Sequence, residues 1–151
     1  MPEVVIADTS CLIVLTKIGE LEVLRRLYGT VLTTAVVAAE FGKPLPEWVR
    51  LENAQDTQRQ RELATQIDAG ESSAIALALE KPDSIVILDD YKARQVASRL
   101  GVRLTGTLGV LIRATKEGVI PMLRPVLNRI RETDFRFSSE LEAQALQAVG
   151  E

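Results

Sequence analysis

The sequence feature that most constrains the fold is the run Val4–Ala7, which leads directly into Asp8, Thr9 and Ser10. The run is short, apolar and rich in β-branched residues, which is typical of a strand buried on both faces of a parallel sheet. A residue that follows such a strand lies at the carboxyl edge of the sheet, where open α/β sheets bind ligands. Asp8 is therefore a candidate metal- or phosphate-binding residue, and a helix N-cap is the simpler alternative.

A second buried strand is predicted at 84–88, and shorter extended segments at 30–34, 48–51 and 102–105. Helical patterns separate these segments, and such alternation is typical of α/β proteins. The sequence therefore predicts a three-layer α/β/α fold with a mostly parallel central sheet of four to five strands and C-terminal helices. We expect the two most apolar strands to be central neighbours, and Thr9 or Ser10 to cap the first helix.

The length of 151 residues predicts a single domain over 1–151, and 46% hydrophobic residues suffice for a substantial core. No apolar run approaches the length of a transmembrane helix, and the first residues lack the basic start of a signal peptide. The one cysteine, Cys11, has no partner for an internal disulfide. Together these features predict a cytoplasmic protein with no membrane partner.

The sequence contains no histidine, and this absence narrows the chemistry more than any other feature of the composition. It excludes Ser-His-Asp and Cys-His catalysis, zinc sites with histidine ligands and phosphotransfer through histidine. Cys11 lacks a histidine to activate it and is a poor candidate nucleophile. If the chain is an enzyme, its carboxylates, lysines or hydroxyl groups must carry the reaction.

Acidic residues follow or begin several of the predicted elements on the side of the sheet where Asp8 lies. Glu40 ends a helix at 35–41, Glu71 begins a helix at 71–80, and Asp89 and Asp90 follow the strand at 84–88. Exposure to solvent, or a contact with a helix dipole, would explain each of them singly. A convergent cluster would be costly unless cations offset the repulsion. Oxygen ligands without histidine or cysteine favour Mg²⁺ or Mn²⁺, ions that support phosphodiester cleavage.

Basic residues are concentrated in the second half of the chain, although the net charge is −3. The segment from Tyr91 to Arg136 holds ten basic and three acidic residues, so its net charge is +7 and the remainder carries −10. The basic residues are Lys92, Arg94, Arg99, Arg103, Arg113, Lys116, Arg124, Arg129, Arg131 and Arg136. Solvated helix faces would explain these charges, and a phosphate-binding surface is the alternative.

Four motifs, taken in order, resemble the PIN-domain superfamily of small Mg²⁺- or Mn²⁺-dependent ribonucleases, which includes the VapC-type toxins. They are DTSCLIVL at 8–15, GESSAIALA at 70–78, LDDYKAR at 88–94 and GTLGVL at 106–111. The combination is closest to a prokaryotic branch of that superfamily, and the resemblance extends from Val4 to about Leu141. The motifs are specific for the family and much less specific for activity.

The resemblance implies a set of site residues. Asp8 matches the first metal-binding aspartate, with Thr9 or Ser10 as its accompanying hydroxyl, and Glu40 matches the glutamate at the end of a helix. Glu71 stands where many of the toxins have an aspartate, and Asp89 or Asp90 matches the last acidic position. The catalytic and metal-binding set is thus Asp8, Glu40, Glu71, Asp89 and Asp90, with Ser10, Thr9 and Thr107 in support.

The resemblance further implies an endoribonuclease with Mg²⁺ or Mn²⁺ as cofactor and RNA as substrate, held by Lys92, Arg94 and Arg103. A toxin would have a small antitoxin protein as its partner, and members of the family are commonly homodimers. Two alternatives stay open: a catalytically weak PIN-like module that binds RNA or protein, and a phosphoacceptor domain with Asp8 as nucleophile. Ser10 stands where a D-x-D phosphatase has its second aspartate, which ranks the phosphoacceptor last.

Overall fold

The computed structural model describes residues 4–151, and its centre is a sheet of five strands that are all parallel. The strand order across the sheet is β3-β2-β1-β4-β5. The strands are β1 (Val4–Ala7), β2 (Val31–Thr33), β3 (Val49–Leu51), β4 (Ser84–Ile87) and β5 (Leu104–Thr105). The predicted mostly parallel sheet of four to five strands is confirmed, and the segment predicted at 48–51 forms one of its two edge strands, β3.

Nine helices within residues 4–151 flank the sheet and complete the predicted three-layer architecture. They are α1 (Thr9–Lys17), α2 (Glu22–Tyr28), α3 (Ala35–Phe41), α4 (Thr57–Leu63), α5 (Ala69–Leu79), α6 (Tyr91–Arg99), α7 (Thr107–Lys116), α8 (Arg124–Arg131) and α9 (Ser139–Ala148). No helix in this part of the chain is long and apolar enough to cross a membrane.

Strand β1 is the centre of the molecule because both of its faces are buried. Val5 and Ala7 pack into the core on one face, and Ile6 packs into a separate core on the other. Strand β4 is its hydrogen-bonded neighbour, with Ala7 opposite Ile87 in the parallel register. Side chains on β1 that alternate between two apolar cores explain why this strand shows no polar alternation in sequence.

The two cores are built by different sets of helices. Helices α1, α2, α7 and α8 supply most of the first core, and α5 and α6 supply most of the second. Helix α5 is buried over Gly70–Ala78, and its small residues allow it to pack closely on the sheet. Burial on all sides explains why α5 lacks the polar stripe of a surface helix.

The structure corrects the expected cap of the first helix. Asp8, not Thr9 or Ser10, occupies the N-cap position of α1, and its side chain makes no capping hydrogen bond. Several element bounds also shift slightly, and α5 begins at Ala69 instead of Glu71. The earlier start of α5 follows from Asp68, whose side chain accepts a hydrogen bond from Glu71 N and caps the helix there.

Candidate acidic active site

Acidic side chains from four different parts of the chain line one cleft at the carboxyl edge of the sheet. The cleft has a volume of about 450 Å³. Its lining residues are Asp8, Thr9, Ser10, Ile13, Glu40, Asp68, Glu71, Asp89, Asp90, Phe135 and Arg136. All five acidic residues that the sequence singled out are therefore brought together. Asp68, which none of the sequence motifs indicated, is a sixth.

Asp8 is the most deeply placed of these carboxylates. It follows β1, the central strand, and only 5% of its surface is exposed. Its Oδ1 atom is buried and has no hydrogen-bond partner in the described chain. A buried carboxylate oxygen without a partner is costly. Because Asp8 makes no capping hydrogen bond either, helix capping does not explain an aspartate at this position.

Burial raises the pKa of Asp8 from 3.8 to about 7. The neighbouring backbone amide of Thr9 opposes this shift, whereas the charges of Glu71, Asp68 and Glu40 add to it. The pKa of Glu71 is also raised to about 7, first by burial and then by the charge of Asp68. Two carboxyl groups in one cleft that ionise only near neutral pH are typical of functional sites.

Glu71 is held by a reciprocal contact with Asp68 at the start of α5. Asp68 Oδ1 accepts a hydrogen bond from Glu71 N at 2.8 Å, and Glu71 Oε1 accepts one from Asp68 N at 3.2 Å. This capping box confirms that Glu71 serves the helix start. Only 8% of Glu71 is exposed, so the same contact fixes its carboxylate inside the cleft. The spacing of Asp68 three positions before Glu71, which is typical of a capping box, is the sequence signal that would have identified Asp68.

Glu40 reaches the cleft from the last turn of α3. Its Oε1 accepts a hydrogen bond from Thr9 Oγ1 at 2.8 Å. Gly70, in the first turn of α5, faces the same oxygen, and a Cβ atom at position 70 would overlap it. Glu40 is exposed, which agrees with the simpler explanation that this glutamate faces solvent. Its carboxylate is nevertheless oriented by the hydroxyl group of Thr9.

The adjacent residues Asp89 and Asp90 have different hydrogen-bond partners, so their carboxylates have different roles. Asp89 accepts hydrogen bonds from Thr107 N at 2.8 Å, from Thr107 Oγ1 at 2.6 Å and from Ser10 Oγ at 3.1 Å. Asp90 is the N-cap of α6 and accepts a hydrogen bond from Ala93 N. Ser10 and Thr107 thus support the site by orienting Asp89, and Thr9 supports it through Glu40.

The basic residues of the prediction are divided between two regions. Lys92 and Arg94 lie in the first turns of α6, next to the cleft, and Arg94 Nη1 donates a hydrogen bond to Leu88 O at 2.7 Å. Arg103 precedes β5 and pairs with Asp83, which precedes β4. It therefore lies at the amino edge of the sheet, away from the cleft. Arg136 lines the cleft instead, along with Phe135.

The donor set suits a hard divalent cation, because it consists of carboxylate and hydroxyl oxygens. Residues 4–151 contain no group of three acidic or thiol side chains already arranged as ligands of one ion. Several carboxylates are directed at hydroxyl or amide partners instead, as Glu40 is at Thr9 and Asp89 at Thr107. The unpartnered Oδ1 of Asp8 nevertheless fits a cation, because a positive charge would satisfy that oxygen and lower the cost of its burial.

A parallel α/β fold with an acidic cleft at the carboxyl edge of its central strands suits metal-dependent chemistry at a phosphate group. A family model described as a PIN domain, DUF3368, matches residues 4–151, and the chain belongs to this family. PIN domains are generally nucleases and typically bind divalent metals. No curated protein and no solved structure matches the sequence significantly.

Proposed function

We propose that this protein is a Mg²⁺- or Mn²⁺-dependent endoribonuclease of the PIN type. The observation that carries the proposal is the buried, unpartnered Oδ1 of Asp8 in a cleft lined by five further acidic residues. A stable fold gains nothing from placing a bare carboxylate oxygen there. A bound cation would provide the interaction that this oxygen lacks.

Asp8, Glu40, Glu71 and Asp89 would hold the cation, with Asp90 at the rim of the cleft. When bound, a divalent ion supplies the positive charge that a phosphodiester needs during hydrolysis and makes water more acidic. The chain itself contributes orientation: Thr9 fixes Glu40, Asp68 fixes Glu71, and Thr107 with Ser10 fixes Asp89. Ligands held in place before the ion arrives lose little freedom on binding.

RNA is the proposed substrate, and the positive segment of the chain supports it. Lys92, Arg94 and Arg136 lie beside the acidic cleft and offer contacts to the phosphate backbone. Arg103 is a weaker candidate, because it lies at the other edge of the sheet with Asp83. A role as the toxin of a toxin–antitoxin pair, with a small antitoxin partner and a homodimeric state, is part of the proposal and follows from the family alone.

Titration with Mn²⁺ by calorimetry is the decisive test of the cation site. We expect the wild type to bind Mn²⁺ at pH 8, and Asp8→Asn and Glu71→Gln each to weaken binding at least tenfold. Asp134→Asn is the matched control, because Asp134 pairs with Lys17 on the surface. Cleavage of a mixed RNA pool should then require Mn²⁺ or Mg²⁺ and should disappear in Asp8→Asn. A wild type that folds but binds no Mn²⁺ contradicts the proposal.

A catalytically weak module that binds RNA or protein is the second candidate. The specific observation in its favour is that Asp89 already has three donors and that Asp90 caps α6. Carboxylates with such partners are stable without an ion. This candidate predicts RNA binding that survives Asp8→Asn, with no cleavage by the wild type in either metal.

A further inference from the structure

A second cleft, of about 600 Å³, opens beside the acidic cleft. It lies between the start of α6, the start of α7 and the segment that joins α8 to α9. We call it the aromatic groove, and its principal lining residues are Tyr91, Arg94, Leu104, Leu108, Phe135 and Phe137. Asp89, Phe135 and Arg136 line both clefts. A ligand that extends beyond the acidic cleft on this side therefore enters the aromatic groove.

The groove contains half of the aromatic residues of the chain, which has three Phe, two Tyr and one Trp. The rings of Phe135 and Phe137 meet edge to face, with their centroids 4.9 Å apart. Tyr91, the first residue of α6, is 75% exposed, and its hydroxyl oxygen accepts a hydrogen bond from Gln95. Phe135 and Phe137 are half-buried against the core. Aromatic rings that remain accessible beside a polar site are surfaces on which nucleobases stack.

The charge of the groove complements a phosphate backbone. The hydrogen bond from Nη1 to Leu88 O fixes the guanidinium of Arg94 in the groove. A Cβ atom at Gly106 would come within 2.9 Å of this guanidinium. Arg136 Nη1 donates to the backbone oxygens of Thr133 and Phe135. Of the salt bridges among residues 4–151, none includes Arg94 or Arg136. Two cations fixed by backbone oxygens keep their charge available for an anion.

We propose that the aromatic groove binds an unpaired nucleobase of the RNA, next to the phosphate that enters the acidic cleft. The base stacks on the aromatic side chains, and Arg94 and Arg136 contact the flanking phosphates. A base in a duplex is stacked on both sides and cannot enter such a groove, so the substrate is single-stranded at this position. The inference rests on the proposed function and adds to it a base-binding subsite formed by this chain's own aromatic residues.

Two ring-deleting variants test the groove. Tyr91→Ala removes an exposed ring, so we expect the fold to be retained. Phe137→Leu removes a ring and keeps an apolar side chain where Phe137 packs against the core. Tyr91→Phe is the conservative counterpart that keeps the ring. Leu51→Ala is the matched control, because Leu51 is 56% exposed on β3, at the opposite edge of the sheet.

The probe is a single-stranded oligoribonucleotide that contains 2-aminopurine, whose fluorescence falls when the base stacks. Binding is measured in Ca²⁺, and a gel checks that the strand stays intact. We expect wild type and Tyr91→Phe to quench the fluorescence. Tyr91→Ala and Phe137→Leu should bind roughly 5- to 100-fold more weakly, and Leu51→Ala should match the wild type. A strand with one abasic position should bind the wild type as weakly as the intact strand binds Tyr91→Ala.

Each contrary result has a distinct meaning. If both ring deletions bind and cleave RNA like the wild type while Asp8→Asn does not cleave, the groove proposal is overturned and the proposed function stands. If the wild type neither binds nor cleaves any RNA although it binds Mn²⁺, both are overturned. If Tyr91→Ala leaves strand binding unchanged and converts a dimer into a monomer in sedimentation, the groove is a protein interface and the proposal is wrong.

Discussion

Gly70 makes room for Glu40: a Cβ atom at position 70 would overlap Oε1 of the glutamate, the oxygen that Thr9 holds at 2.8 Å. Gly70 lies in the first turn of α5. A glycine inside a helix is less stable than alanine by roughly 0.5–1 kcal/mol. The glycine is therefore explained by the carboxylate that it admits to the cleft and not by the helix.

Gly70→Ala should separate the stability of the fold from the function of the site. The Glu40 side chain can move away from the new methyl group, so the melting temperature should change by no more than about 3 °C. Mn²⁺ affinity should fall roughly tenfold, because Glu40 can no longer accept the hydrogen bond from Thr9. Calorimetry measures the affinity and thermal unfolding the stability.

The double variant Gly70→Ala, Glu40→Gln supplies the control for that experiment. If the glycine acts through Glu40, the two losses of affinity are not additive, and the double variant binds Mn²⁺ like Glu40→Gln alone. Fully additive losses would show that position 70 acts on another ligand.

Asp8→Asn should raise the stability of the metal-free protein at alkaline pH. The pKa of Asp8 is about 7 in the folded chain against 3.8 normally. Raising the pH from 4 to 7 therefore deprotonates the unfolded chain first, and the free energy of unfolding falls. Asparagine resembles the neutral form, so the variant should gain on the order of 2 kcal/mol at pH 8 and little at pH 4. Urea unfolding in EDTA at both pH values measures the difference.

Asp134 is the internal control for this pH dependence, because its pKa moves in the opposite direction. The hydrogen bond from Lys17 lowers the pKa of Asp134, which is on the surface. Asp134→Asn should therefore destabilise the protein slightly at neutral pH and have no effect in acid. Equal responses of the two variants at pH 8 would contradict the special position of Asp8.

Much of this fold could be predicted because its strongest signals are local. The apolar runs at 4–7 and 84–88 predicted adjacent central strands, and the sheet order confirms that β1 and β4 are neighbours. The edge strand β3 was only a short extended segment in sequence, because one of its three residues is buried and two are exposed. The start of α5 was predicted two residues late, at Glu71, because its signal is the capping box at Asp68 and not the hydrophobic pattern.

The sequence predicted which residues lie at the edge of the sheet, because the strand topology determines this, but not the contacts between their side chains. Parallel strands end at one edge, so Asp8 and Asp89 had to lie on the same side of the sheet. Which partner each carboxylate has depends on side-chain packing between distant segments, as for Ser10 and Asp89. Phe135 and Arg136 reach the cleft from the segment between α8 and α9. No local pattern indicates where such a segment packs.

Thr107→Val should show how much Asp89 depends on its hydroxyl donor. Thr107 is fully buried, and its Oγ1 donates to Asp89 Oδ2 at 2.6 Å. Valine keeps the shape but removes that donor, so the free energy of unfolding should fall by about 1–3 kcal/mol. Ser10→Ala, which removes the longer contact of 3.1 Å, should cost less. Urea denaturation of both variants measures the difference, and the reverse ranking would contradict this assignment.

Mn²⁺ should stabilise the protein more at pH 8 than at pH 5.5. At pH 8 the carboxyl groups of Asp8 and Glu71, both with a pKa of about 7, are largely ionised and repel each other. At pH 5.5 both are largely protonated, and a cation must displace those protons. An ion concentration near 100 times Kd contributes about 2.7 kcal/mol, which corresponds to a rise in melting temperature of roughly 5–10 °C. The variant Asp8→Asn, Glu71→Gln at matched ionic strength is the control, and an equal rise in that variant would place the ion elsewhere.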